Sequence, residues 1–170
     1  MTLDSPEDFE RLYARYGQPI YRFLYWQTRD PQLAQDLTST VFERSWRARR
    51  SFGGGSAQAW LYRIARNALV DHWRKKKELY LEDMPAVTAT LEAQADGYDF
   101  DKEQELGEMA QALHQLPDHL KTVVVLRFIE ELPAAAVADI LQTTAGNVRI
   151  MQLRALRKMR QWIEEQRDQR

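Results

Sequence analysis

The chain has 170 residues, of which 44% are hydrophobic, and a formal net charge of -1. It contains no cysteine, which excludes disulfide bridges and thiolate chemistry and is typical of a reducing compartment. The first residues lack the basic start and apolar run of a signal peptide, and no run of about eighteen apolar residues predicts a membrane span. We therefore expect a cytoplasmic protein without membrane insertion.

The nearly neutral total hides an uneven distribution of charge. Residues 1–77 contain fourteen lysines and arginines against eight acidic residues, whereas 78–104 contain one against eight. Residues 105–170 contain nine of each. This distribution predicts a first domain at 1–77, a mobile acidic linker at 78–104 and a second domain at 105–170.

Strand patterns are almost absent, because valine and isoleucine recur at helical spacing and no alternating run is long. We therefore predict an all-α protein made of two small helical domains. In the first domain, a serine and an aspartate that each precede a proline predict helix starts at Pro6 and Pro31. Gly17 and Pro19 predict a break between one helix and another that ends near Thr28. The first domain would then contain four helices.

Three consecutive glycines at 53–55 predict a loop, and a long basic helix follows from Ala57 to Lys77. At 100° per residue, its apolar residues project inward: Trp60, Leu61, Ile64, Ala65, Ala68 and Leu69. The opposite face carries Arg63, Arg66, Asn67, Val70 and Arg74, with Tyr62 and Trp73 at its edge. Arginines beside aromatic rings suit unstacked single-stranded bases as well as phosphates. A solvated charged face is the alternative interpretation.

In the second domain we expect helices at about 105–115, 118–131, 133–141 and 145–165. The third helix is short and would bury Val137, Ile140 and Leu141. A turn separates it from the long basic fourth helix. This is the layout of a helix-turn-helix, in which the second helix enters the major groove of DNA.

The fourth helix of this domain has an apolar stripe opposite a basic face. The stripe comprises Val148, Met151, Ala155, Leu156, Met159, Trp162 and Ile163, and the basic face comprises Arg149, Ile150, Leu153, Arg154 and Arg157. An arginine there can bind guanine through two hydrogen bonds or hold a phosphate, and Ile150 or Leu153 could contact a thymine methyl. Gln152 falls within the stripe and is interpreted as a hydrogen-bonded core residue. A basic helix that only packs is the alternative.

Enzyme classes find little support in the sequence. His72, His114 and His119 lack the Glu or His partners of di-iron and helical zinc sites, and no serine lies in a nucleophile elbow. The glycine loop could wrap a flipped base, but the lysine of a phosphate-binding P-loop is missing. We expect no catalysis, no metal and no cofactor.

Several motifs together carry a family resemblance. Residues 36–46 read DLTSTVFERSW, 60–67 read WLYRIARN and 116–127 read LPDHLKTVVVLR, followed by NVR at 147–149 and RAL at 154–156. In this order they resemble the extracytoplasmic-function (ECF) group of sigma-70 family RNA polymerase sigma factors. The resemblance covers almost the whole chain. It implies an alternative sigma factor that binds core RNA polymerase, selects promoters and assists melting of the -10 element.

The resemblance also implies roles for residues of the first domain. The helix that holds Asp36, Ser39, Thr40 and Glu43 would dock on the clamp helices of the large polymerase subunit. The family often has Gln-Glu where this chain has Ser39 and Thr40, which leaves fewer charges for docking. The melted -10 strand would contact the loop from Arg50 to Gln58, which includes Phe52, and the face of the following helix, namely Tyr62, Arg63, Arg66, Asn67, Val70, Trp73 and Arg74.

For the second domain, the resemblance implies binding to the -35 duplex and to the polymerase flap. The DNA-contacting residues would be Asn147, Arg149, Ile150, Leu153, Arg154 and Arg157. The family's Ser-Tyr-Glu-Glu is replaced by 133–136, Pro-Ala-Ala-Ala, which removes polar contacts expected there. An anti-sigma partner is also implied. The alternatives are a helix-turn-helix regulator that does not join polymerase, and an all-helical adaptor without DNA contacts.

Overall fold

The computed structural model describes residues 3, 5–82 and 100–169, with the side chains of 79–82 and 100–106 left aside. The described residues form α-helices joined by short turns, and no strand occurs among them. The helices group into two compact units, Met1–Asp96 and Gly97–Arg170. The prediction of an all-α protein with two helical domains is confirmed.

The first unit contains three long helices. They are α1 (Pro6–Thr28), α2 (Pro31–Ala48) and α3 (Ala57–Glu82), with a short 3-10 helix at Arg49–Ser51. Ser5 and Asp30 cap α1 and α2, because their side-chain oxygens accept bonds from amides three residues later, at 3.1 and 3.0 Å. The helix starts predicted at Pro6 and Pro31 are therefore confirmed.

The predicted break at Gly17 and Pro19 is wrong, since α1 continues through both residues. Proline has no amide hydrogen, so Pro19 cannot donate to the carbonyl four residues earlier, and this loss favours a break. Tertiary packing outweighs it, because Leu12 and Ile20 lie on either side of the predicted break and both are fully buried on the same continuous helix. The first unit thus has one helix where we predicted two.

Packing among α1, α2 and α3 forms the core of the first unit. Its fully buried side chains include Leu12, Ile20, Phe23, Leu24, Val41, Leu61 and Tyr62. The rings of Phe23 and Tyr62 meet edge to face, with centroids 5.4 Å apart. An ion pair between Arg44 and Asp71 joins α2 to α3 at 2.8 Å. Together these contacts fix which face of α3 points outward.

The second unit contains α4 (Phe100–His114), α5 (Asp118–Val124), a π-helical segment (Val125–Ile129), α6 (Ala134–Leu141) and α7 (Ala145–Asp168). The helix α7 packs against α4, α5 and α6. Buried apolar residues from these elements form the core: Leu113, Leu120, Val123, Leu126, Val137, Ile140 and Val148. The helices thus lie close to the predicted positions. The helix α4 begins earlier than expected and is kinked at Gly107, where φ is 34° and ψ is -110°.

Part of the predicted linker is helical. The helix α3 extends to Glu82 and α4 begins at Phe100, so 78–82 and 100–104 belong to helices. The rest of the predicted linker, 83–99, lies outside the described residues. No described helix combines the length and apolar character needed to cross a membrane. Within the same residues, no three potential metal ligands among His, Cys, Asp and Glu side chains come together.

Candidate nucleic-acid interface

A cavity of about 380 Å³ lies between the glycine loop and the start of α3. The backbone φ angles of Gly54 and Gly55 are 93° and 89°, which residues with a Cβ rarely adopt. This turn brings the ring of Phe52 onto that of Trp60, with centroids 5.0 Å apart and an interplanar angle of 44°. The cavity is lined by Ser51, Phe52, Gly53, Gly54, Trp60, Arg63, Ile64 and Asn67.

The lining of this cavity combines flat apolar surfaces with hydrogen-bonding groups. Phe52 and Trp60 offer aromatic faces on which a planar group can stack. Arg63 contributes a guanidinium and Asn67 an amide that can both donate and accept hydrogen bonds. This combination suits a planar, polar heteroaromatic group such as an unstacked base.

The structure corrects the predicted orientation of α3. Tyr62 was placed at the edge of the exposed face, but its side chain is only 1% exposed and packs in the core against Phe23. In contrast, Trp60 and Ile64 were predicted to point inward, but they are half-buried and line the cavity. The buried face is therefore rotated towards Tyr62. The sequence did contain one indication that Trp60 lines a site: a second aromatic residue, Phe52, lies beside the glycine loop that precedes α3.

The remaining predicted residues of α3 lie on its outward face. Arg63 and Arg66 are half-buried, Asn67 and Arg74 are exposed, and Val70 and Trp73 are 56% and 37% exposed. They follow the cavity along the helix for three turns. The face therefore presents arginines, an amide and an indole ring side by side, which is the composition expected of a single-strand surface.

One acidic residue lies beside this basic face. Asp71 accepts a hydrogen bond from Arg44 at 2.8 Å and a longer one from Arg74 at 3.5 Å. The bond from Arg44 lowers the pKa of Asp71 most, with further lowering by the charges of Arg44, Arg74 and Lys75, against a smaller opposing effect of burial. Asp71 therefore stays ionised and holds α2 and α3 together beside the basic residues.

The exposed stripe of α2 carries the four residues assigned to polymerase docking. Asp36, Ser39 and Glu43 are exposed, and Thr40 is half-buried. The Ser39 and Thr40 hydroxyls donate to backbone carbonyls of the preceding turn, at 3.2 and 3.0 Å. Their oxygens thus make local contacts, and the two carboxylates supply the charge of the stripe.

Both carboxylates of this stripe already have partners. Asp36 accepts a hydrogen bond from the side-chain amide of Gln32 at 3.2 Å. Glu43 forms an ion pair with Arg47 at 2.6 Å. These partners lie one turn away on the same exposed surface, where such pairs contribute little to stability. The carboxylates can therefore exchange them for cations of a binding partner at small cost.

In the second unit, α6 and α7 form a helix-turn-helix. Gln142 adopts a left-handed conformation, with φ 54° and ψ 48°, at the end of α6. The Thr144 hydroxyl then caps α7 by accepting a bond from the Asn147 amide at 3.1 Å. Val137 and Val148 are fully buried where the two helices pack. The turn thus holds the N-terminal half of α7 outward.

All six residues predicted on the DNA-facing side of α7 are exposed: Asn147, Arg149, Ile150, Leu153, Arg154 and Arg157. The side-chain amide of Asn147 donates to the Thr143 hydroxyl at 2.8 Å, and this bond orients the Asn147 side chain beside the turn. Gln152 accepts a hydrogen bond from Arg127 at 3.0 Å, in agreement with its predicted role as a bonded core residue. No pattern in the sequence indicated Arg127 as its partner.

Comparisons with known proteins agree with this architecture. Residues 12–78 match the model of Sigma-70 region 2, and residues 112–161 match that of Sigma-70 region 4. The chain is 28% identical to the ECF RNA polymerase sigma factor SigM of Bacillus subtilis, over 94% of each chain. It is 33% identical to the ECF RNA polymerase sigma factor SigW of the same species, over 79% of this chain and 77% of that one.

Two solved structures share the fold. CnrH, in complex with the cytosolic domain of CnrY, has a TM-score of 0.71 at 20% identity, covering 95% of this chain and 91% of that chain. RpoE of Bartonella quintana, in complex with the anti-sigma factor NepR, has a TM-score of 0.70 at 20% identity, covering 93% and 98%. Because both sigma regions match in order and close relatives in sequence are ECF factors, the chain belongs to the ECF group of the sigma-70 family of RNA polymerase sigma factors.

Proposed function

We propose that this sigma factor binds promoter DNA through two separate surfaces, a single-strand surface on α3 and a duplex surface on α7. The observation that carries this division is the cavity lined by Phe52 and Trp60, together with Arg63 and Asn67. Such a cavity accepts an unstacked base, which a duplex does not offer. A simple helix-turn-helix regulator has no use for it, so the cavity favours a factor that acts on melted DNA.

At the -10 element, the cavity would hold a base flipped out of the melted non-template strand. Stacking on Phe52 and Trp60 would supply affinity, while Asn67 and Arg63 would supply polar contacts. The neighbouring strand would follow the rest of the outward face of α3: Arg66, Val70, Trp73 and Arg74. Tyr62 has no part in this role, because it is buried.

At the -35 element, α7 would lie in the major groove of the duplex. Its N-terminal half carries Asn147, Arg149, Ile150, Leu153, Arg154 and Arg157 on one exposed side. In a helix-turn-helix, the N-terminal residues of the second helix contact base edges, and arginines outside that part commonly hold phosphates. Arg149 would therefore contact bases, and Arg157 would contact phosphate.

Core RNA polymerase would be bound by the exposed stripe of α2, through Asp36, Ser39, Thr40 and Glu43. The two carboxylates carry its charge, so the matching surface on the polymerase clamp helices is expected to be basic. The second unit would contact the polymerase flap. We further propose the domain limits 1–77 and 105–170, with 78–104 as the linker.

Regulation would involve an anti-sigma factor, because RpoE of Bartonella quintana, which shares this fold, was solved with one. The chain itself would perform no covalent chemistry. Synthesis belongs to the polymerase, and this subunit would supply promoter choice and capture of the opened strand. Its place of action is then the cytoplasm, where the polymerase and the promoters are.

The decisive experiment is transcription in vitro with purified core polymerase and a library of genomic fragments. We expect transcripts that start at a small set of promoters and that require this chain. A helix-turn-helix regulator would bind DNA fragments but would not enable core polymerase to transcribe them. An adaptor would neither bind the fragments nor enable transcription. The Asp36→Arg variant serves as a control, since it should lose transcription while retaining its fold.

A further inference from the structure

Two large apolar side chains stand exposed on the basic side of α7. Ile150 is 50% exposed and Leu153 is 59% exposed. By contrast, Val148 and Met159 of the same helix are covered by the second unit, since Val148 is fully buried and Met159 is 4% exposed. Ile150 and Leu153 thus contribute little to the core. Their burial would have to come from a binding partner.

The two side chains form a compact pair near the start of the helix. They lie three residues apart, which corresponds to about 4.5 Å along a helix axis, and residues at this spacing have Cβ atoms roughly 5–6 Å apart. They occupy the sixth and ninth positions of α7, which begins at Ala145. In a helix-turn-helix this part of the second helix reaches the base edges.

The surroundings of the pair are basic. Arg149, Arg154 and Arg157 are exposed around it, and none of them forms an ion pair within the described part of the chain. Three uncompensated guanidinium groups attract a strongly anionic partner and oppose insertion into an apolar protein groove. The charge therefore selects DNA as the partner of this surface.

Within a DNA duplex, few groups can match an apolar side chain. The major-groove edges of the bases carry hydrogen-bond donors and acceptors, and the C5-methyl of thymine is the apolar exception. Covering a donor or acceptor with Ile150 or Leu153 would remove its water without replacing the lost hydrogen bond. Placing either side chain on a thymine methyl instead buries apolar surface on both partners.

We propose that Ile150 and Leu153 recognise thymine methyl groups and are the residues that select thymines in the duplex bound by α7. The two contacted thymines lie within about two base steps of each other, because neighbouring bases rise about 3.4 Å along each strand. This inference rests on the proposed duplex role of α7. It adds which chemical group of the bases the helix selects.

The test begins with the selection of duplexes from a random library. Two selections are run in parallel, one with the full-length protein alone and one with its complex with core polymerase. Duplexes enriched in either selection are used in the next step. Each thymine of the enriched site is then replaced by deoxyuridine, which keeps the base pairing and the O4 acceptor but lacks the methyl. We expect about fourfold weaker binding at each of two neighbouring positions, the effect of one buried carbon group, and no change elsewhere.

Variants assign the effect to the two side chains. Ile150→Ala and Leu153→Ala should each abolish the difference between thymine and uracil at one of the two positions. Met109→Ala is the matched control, because Met109 is an apolar residue of the same unit, 49% exposed, on α4 and outside the helix-turn-helix. It should leave both differences unchanged. Arg157→Ala should weaken thymine and uracil duplexes equally.

Three results would overturn the proposal. The first is equal affinity for thymine and uracil at every position. The second is that neither selection enriches any duplex. The third is discrimination that persists in the Ile150→Ala Leu153→Ala double variant, with its helical content intact by circular dichroism. Failure of the proposed function is recognised separately. In that case thymine discrimination is observed, but the chain supports no promoter-specific transcription with core polymerase.

Discussion

The ring of Phe52, in the loop before α3, lies against the ring of Trp60 on the first turns of that helix, with centroids 5.0 Å apart. Eight positions separate the two residues in the chain, and the turn through Gly54 and Gly55 brings them together. Both rings line the cavity beside them. Its walls therefore depend on the conformation of the loop as much as on the helix.

Removing one of these rings should weaken single-strand binding. We expect Phe52→Ala to reduce the affinity of the polymerase complex for a non-template -10 oligonucleotide by about 1–3 kcal/mol, the usual contribution of one stacked base. Trp60→Phe keeps an aromatic wall and should be affected less. Fluorescence anisotropy with a labelled oligonucleotide measures both. Unchanged affinity for Phe52→Ala would show that the strand does not use this cavity.

Substitutions in the two proposed DNA surfaces should cause different defects in promoter binding and opening. Arg149→Ala is expected to weaken -35 duplex binding by about 1–3 kcal/mol and to relax the preference at one base pair. Asn67→Ala should spare duplex binding but impair opening of a paired promoter, with partial rescue when the -10 region is already unpaired. Binding and open-complex formation are compared at one salt concentration, because phosphate contacts respond strongly to salt. Equal defects of both variants on both templates would contradict the division.

A charge reversal on α2 tests polymerase docking. Asp36 is exposed, and among the described contacts its carboxylate is bonded only to Gln32, so Asp36→Arg should leave the fold intact. It should weaken binding to core polymerase by roughly tenfold or more, since it opposes like charges at the interface. Glu10→Arg makes the same change in charge at an exposed site on α1 and is the matched control. Equal binding by both variants would place the docking face elsewhere.

The bond between Arg44 and Asp71 predicts a pH dependence of stability. The pKa of Asp71 is lowered in the fold, so its contribution is present above its ordinary value of 3.8 and is lost as the pH falls through the folded value. Asp71→Asn should therefore lower Tm near neutral pH, and the difference from the parent protein should shrink in acid. Arg44→Ala should show the same trend. Melting curves of both variants across pH, with Glu10→Gln as control, measure this.

Replacing Gln152 should lower the stability of the second unit and leave its DNA sequence preference unchanged. Gln152→Ala removes the acceptor of the Arg127 bond at 3.0 Å and leaves a partly buried donor unsatisfied. The expected cost is about 1–3 kcal/mol of unfolding free energy. Chemical denaturation measures it, and selection of duplexes should return the same preferred site as for the parent protein. A changed preference would assign Gln152 to base recognition.

The helices and their order follow from local sequence. Capping residues before Pro6 and Pro31 determine two helix starts. Their side-chain oxygens accept a hydrogen bond from a free amide of the first turn, and proline has no amide hydrogen that would need a partner there. The helix-turn-helix is equally local, since Val137, Ile140 and Val148 recur at helical spacing on either side of a capped turn. The six residues predicted on the outward side of α7 are therefore exposed, whereas Leu156, which was assigned to the apolar stripe, is 38% exposed instead of buried.

Contacts between distant residues decided the rest. The break predicted at Pro19 is absent because Leu12 and Ile20 are buried on one continuous helix against the rest of the unit. On α3, Tyr62 packs against Phe23 in the core, so the buried face of the helix differs from the predicted one and Trp60 lies in the cavity wall. Sequence by itself determined the capped helix starts and the helix-turn-helix, because caps and periodicity act within a few residues, and the order of its motifs indicated the family. The binding cavity required the tertiary structure, because the rotation of α3 depends on packing partners far along the chain.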